Sequence, residues 1–198
     1  MKTTLNKIRS HSPCKDGWEK LLAHLGKTKA DDEPLSLLTV LDSNGLADAL
    51  WCLRAVTGHD REIRLYAVWC ARQVQHLMTD PRSVAALDVA ERHSNGEATD
   101  RELAAAQDAA KAAVWDVAEA AAARAAACAA AWVAERDVAW AAARAVAPFA
   151  AKAAAWDAET AGAQDAATAS AWAAAWVAAE VAAEAAQEQE FRAMIKKA

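Results

Sequence analysis

No segment of this 198-residue chain alternates polar and apolar residues over more than a few positions, so a β-sheet is not expected to organise its fold. Catalytic signatures are missing too. There is no glycine-rich phosphate loop, H-E-x-x-H, EF-hand loop or G-x-S-x-G, so neither cofactor nor enzymatic activity is expected. Cys14, Cys52, Cys70 and Cys128 form no C-x-x-C pair, and His11, His24, His59, His76 and His93 fall in separate elements, so no metal site is expected. Cys70 and His76 share a segment, but a spacing of six puts them on different helix faces, against a Cys–His pair.

Blocks of one charge are missing as well. The net charge of -5 is mild, with 13 Lys/Arg against 13 Asp/Glu in residues 1–98 and 9 against 14 in residues 99–198. No stretch is basic enough to follow a nucleic-acid backbone. The longest uncharged run, Ala166 to Ala179, is too short and too alanine-rich to span a bilayer. Met1 to Pro13 is polar and basic, without the apolar region of a secretory signal. A reduced, cytoplasmic protein with no membrane association is expected.

What the chain does have is alanine. About half of the residues from Leu103 to Ala186 are Ala. Alanine has the highest helix propensity because its side chain loses no rotamer freedom, so this tract dictates helix and supplies no chemistry. It also buries little area per residue. The nine tryptophans, together with the Leu and Val of the first half, are therefore expected to anchor the core.

Residues 1–98 read as short helices with clear punctuation. Asp16 is placed to cap a helix carrying Trp18, Leu21, Leu22 and Leu25 that stops at Gly26. Pro34 suits the first turn of the next helix, which ends at Asn44-Gly45. Leu46 to Val56 follows, closed by Gly58. Asp60 then opens the most amphipathic segment, with Ile63, Ala67, Cys70, Val74 and Leu77 on one face and Leu65 and Trp69 as a second apolar flank. Asp80-Pro81 starts another helix, ending at Asn95-Gly96. Thr99-Asp100-Arg101-Glu102 is a capping box that opens the alanine tract. Ala147-Pro148 must break or kink the tract, and Ala161-Gly162-Ala163 is a second weak point.

Trp132, Arg136, Trp140 and Arg144 follow one another four apart, along one stripe of a helix. Guanidinium groups stack on indoles, and these residue types dominate binding hot spots. The commoner use of such a stripe is a seam inside the protein, with Arg reaching outward; the other is a partner surface. Trp115 lies off the apolar stripe of its helix, among Asp108, Lys111 and Glu119. If a partner binds the tract, Trp115, Trp132, Arg136, Trp140 and Arg144 are the residues expected to meet it. A second ladder, Thr168, Trp172, Trp176, Glu180, Glu184 and Glu188, ends in an acidic face expected to be solvated. Ice binding is excluded by the lack of regularly spaced Thr, and membrane-surface binding by the acidic polar face.

One segment resembles a known family. It runs from Asp60 through Arg64-Leu65-Tyr66-Ala67-Val68-Trp69-Cys70-Ala71-Arg72 and Gln75-His76-Leu77, then Asp80-Pro81-Arg82-Ser83 and Ala86 to Arg92. With the Ala/Trp/Arg tract behind it, this is similar to alanine-rich immunity proteins of bacteria and phages. The resemblance covers Asp60 to the C-terminus. It implies an all-α, non-catalytic protein that neutralises a toxin by binding it, and it carries no binding residues over to this chain.

The expected fold is all-α, about eight helices as an antiparallel bundle or solenoid-like array with an Ala/Trp-rich C-terminal half. Residues 1–98 form a short-helix subdomain and 99–198 a long-helix one, or the two make a single domain. The expected function is inhibition of a protein partner, a toxin or, for a phage anti-defence protein, a defence effector. A helical structural or assembly protein is the alternative of another class, and self-association is left open.

Overall fold

The computed structural model describes residues 1–78, 80–116 and 166–198. Among them are eight α-helices, so the chain is all-α as its composition requires. They are α1 (Leu5–Ser10), α2 (Lys15–Leu25), α3 (Leu37–Asn44), α4 (Leu46–Trp51), α5 (Asp60–Arg72), α6 (Pro81–Ser94), α7 (Asp100–Asp116) and α8 (Ala166–Lys197). Short 3-10 turns, Cys52–Ala55 and Gln75–Leu77, follow α4 and α5.

The expectation of no sheet is corrected by one small pairing. β1 (Lys2–Thr3) and β2 (Leu35–Ser36) run antiparallel, with Lys2 opposite Ser36 and Thr3 opposite Leu35. Two-residue strands are too short to show alternation, so no periodic signal marks them. Their place is fixed from inside: the buried Thr3 hydroxyl donates to the Ala55 carbonyl at 2.6 Å.

Helix boundaries fall where local chemistry puts them. Gly26 ends α2 in the left-handed region at φ 63°, as expected of a C-terminal glycine. Asp80 accepts from the Arg82 amide, with Pro81 in the first turn of α6. At α7 the capping box forms in both directions: the Glu102 amide donates to Thr99 Oγ1 at 3.2 Å, and the Thr99 amide donates to Glu102 Oε2 at 2.8 Å. Three expected starts move. α2 is capped at Cys14 with Asp16 in its first turn, and α5 at His59 with Asp60 as its first residue. Pro34 lies ahead of β2, and Ser36 caps α3 through the Leu38 amide.

The main core gathers Leu5 and Ile8 of α1, Leu21 of α2, Leu37, Val40 and Leu41 of α3, Leu50 of α4, and Tyr66 and Cys70 of α5. Phe191, Met194 and Ile195 of α8 belong to the same cluster, which joins both sides of residue 98. A second cluster joins Ala67, Val68 and Ala71 of α5 to Leu87 and Ala90 of α6 and Leu103 of α7. Next to it Ala86 of α6 meets Ala110 of α7.

Of the nine tryptophans, the side chains of Trp18, Trp51 and Trp69 are among those described. Trp18, Trp51 and Trp69 pack against the core half-buried, while Phe191 and leucines fill it. An indole is too large to disappear between short helices without a cavity of its own size. These half-buried indoles line the two cavities described below.

Candidate functional site

The site is built on α5. Asp60 and Glu62 lie in its first turn and Arg72 in its last, a charge order that suits the helix dipole. Its inner face carries Tyr66, Ala67, Val68, Cys70 and Ala71, all buried. Ala67, Val68 and Ala71 face α6 and α7, while Tyr66 and Cys70 receive the end of α8, where Gln187, Phe191, Met194 and Ile195 recur at helical spacing and are buried.

Tyr66 joins the two helices. Its hydroxyl donates to the Gln187 carbonyl at 3.2 Å, and its ring meets Phe191 edge-on with centroids 5.5 Å apart. On the other side it stacks against Trp69 at 6.3 Å. Ion pairs fix the frame. Arg72 Nη2 reaches Asp88 Oδ1 at 2.9 Å and Glu91 Oε2 at 2.5 Å, tying α5 to α6. Arg192 bridges Glu188 of its own helix and Asp42 of α3, at 2.9 and 2.7 Å.

Outside this joint, α5 and α8 leave a groove of about 510 Å³. Leu65, Trp69 and Met194, with Tyr66 and Val68, supply its apolar lining. Arg61, Glu62, Glu190 and Lys197 surround it with both signs of charge. Arg61 and Glu62 stand 4.0 Å apart, whereas Glu190 and Lys197 have no ion-pair partner among the described residues.

The buried thiols are packing groups. Burial, helped by the Asp48 charge, pushes Cys52 up to about 12; burial likewise pushes Cys70 up to about 12. Neither is a thiolate at neutral pH, and His76 is exposed while Cys70 is buried. Cys14 is exposed. Among the described residues no group of His, Cys, Asp and Glu is placed to hold a metal ion. None of their helices is long and apolar enough to cross a membrane.

Trp115 lies in the last turn of α7. Trp132, Arg136, Trp140 and Arg144 lie outside the described residues, as do Pro148 and Gly162. The α5/α8 groove is absent from the sequence reading because its walls are more than a hundred residues apart. The signal that bears on it is the second flank of α5, Leu65 and Trp69, which a helix buried on one face does not need.

No protein-family model matches the chain, and no curated protein or solved structure matches it either.

Proposed function

We propose that this protein is a non-enzymatic inhibitor that acts by binding a protein partner, in the manner of an immunity protein neutralising a toxin. The observation that carries the reading is the α5/α8 groove, whose apolar lining of Leu65, Trp69 and Met194 is ringed by charges of both signs. An apolar centre with a polar rim is the anatomy of protein interfaces, and Trp is the residue type most enriched at their hot spots. Glu190 and Lys197 have no ion-pair partner among the described residues, so both are available to orient a charged partner. Trp115, Trp132, Arg136, Trp140 and Arg144 are proposed as a second contact on the alanine tract.

The test pairs this protein with the product of the neighbouring gene, in a growth-protection assay and a direct binding measurement. Trp69→Ala is expected to weaken binding by about 30-fold or more, the loss of one hot-spot side chain. Glu190→Lys, a change at the rim, is expected to slow association and to leave the melting temperature within a few degrees of the original. Full protection by both variants would remove the groove from the interface. Trp140→Ala tests the second contact in the same assay, with lost protection at unchanged melting temperature as the expected result.

A further inference from the structure

A second cavity, of about 230 Å³, lies between α2 and the α3–α4 pair and shares no residue with the α5/α8 groove. Its floor is apolar, with Ile8, Leu21 and Val40 buried, and the half-buried indoles of Trp18 and Trp51 line it. A single charged side chain, Asp48, is part of the lining.

That carboxylate is held in place. Asn44 Nδ2 donates to Asp48 Oδ2 at 2.8 Å and to the Gly17 carbonyl at 2.8 Å, so one amide fixes Asp48 against α2. Gly17 makes room for it. A β-carbon there would stand 2.7 Å from Asp48 Oδ2, too close for the carboxylate to stay, and 3.1 Å from Cys14 Sγ, a tight contact. Gly17 is inside α2, where propensity disfavours glycine, so the close approach accounts for it. Asp48 forms no ion pair among the described residues. Arg54, whose guanidinium stands 4.5 Å from the centroid of the Trp51 ring, is not part of the lining.

We propose that this cavity binds a small molecule bearing a primary ammonium group on a short apolar body. The ammonium pairs with Asp48, and the body packs against Trp18, Trp51 and the aliphatic floor. Charge selects the class: a carboxylate with no ion-pair partner among the described residues, beside two indole rings, favours a cation and repels an anion. Size selects within it. An apolar cavity of about 150 Å³ holds a benzene ring, and drug-sized molecules need about 300 Å³ or more. The volume here fits one ring, or a branched aliphatic group, with a two- or three-atom arm. This inference is independent of the protein-binding reading.

The test is a titration of the full chain with 2-phenylethylammonium, followed by calorimetry and by the indole N–H resonances of Trp18 and Trp51. Its isosteric anion, 3-phenylpropionate, is titrated in parallel. Saturable binding of the amine is expected, with the anion at least about tenfold weaker. Asp48→Asn should weaken the amine by about 10- to 100-fold, the loss of one charge-assisted hydrogen bond. Gly17→Ala should also weaken it, by displacing the carboxylate, while leaving the helix content unchanged. Gly17→Ala therefore tests the site without removing its charge. No saturable binding by the amine, equal binding of amine and anion, or undiminished binding by Asp48→Asn would each overturn the proposal.

Discussion

Tyr66 is 3 % exposed and is the one tyrosine of the chain, which makes its phenol a private reporter of the joint between α5 and α8. Burial pushes its ionisation well above the ordinary value, with the neighbouring Cys70 and Glu190 adding to the shift. A raised native value means that the phenol's contribution to stability is complete below pH ~10 and is lost as the pH rises above it. Alkaline difference spectroscopy should therefore show tyrosinate appearing only together with unfolding. A smooth titration near pH ~10 with helix content intact would place the ring in water. Removing the hydroxyl, Tyr66→Phe, should cost about 1 kcal/mol in urea denaturation, because the Gln187 carbonyl loses its buried donor. Phe191→Ala, at a fully buried ring, should cost about 3–5 kcal/mol. Thiol chemistry gives an independent check: iodoacetamide at neutral pH should label Cys14 well before Cys52 and Cys70, as read by peptide mass mapping.

At the scale of the element, the caps were the most legible part of the molecule. Thr99 and Glu102, Asp80-Pro81 and Gly26 sit as the sequence places them, because a cap is settled by atoms within four residues of each other. Of the starts that moved, the one at Pro34 did so because Leu35 and Ser36 pair with the distant β1, while those at Asp16 and Asp60 shift by one or two residues within their own first turns. Thr99→Ala should destabilise the start of α7 by about 1 kcal/mol, visible as faster hydrogen exchange in its first turn. The box also predicts a pH dependence. The Thr99 amide, then its hydroxyl, hold the Glu102 carboxylate below the usual carboxylate range. A depressed native value means stabilisation that is present above the unfolded value and is lost as pH falls through the native one. Below pH ~4 the wild type should thus lose stability in α7; Thr99→Ala keeps the backbone donor but not the hydroxyl and should lose less, so the gap between the two acid profiles should narrow.

Across the whole molecule, the seating of α8 could not be read in the sequence. Alanine marks a helix without marking its partner, and Phe191, Met194 and Ile195 give the same helical period whichever surface they meet. The groove site was half legible: Leu65 and Trp69 stood out on α5, while Met194, Glu190 and Lys197 were invisible as their companions. Removing residues 187–198 should unfold the N-terminal core and not merely shorten a helix. Near-ultraviolet circular dichroism and proteolysis of the truncated chain are the measurements, and a protease-resistant 1–186 fragment would show that the end of α8 is dispensable.

The same arrangement sets an order of events during synthesis. Leu5 and Ile8 are made well before the ring that closes their core, Phe191. At about 5–20 residues per second the ribosome takes roughly 10–40 s to travel from one to the other. For that interval the early helices are made but their core lacks its final wall, and the apolar face of α5 stays open to solvent. A chain released before residue 187 should be cut readily within 1–78 by added protease, and one released past residue 195 should resist.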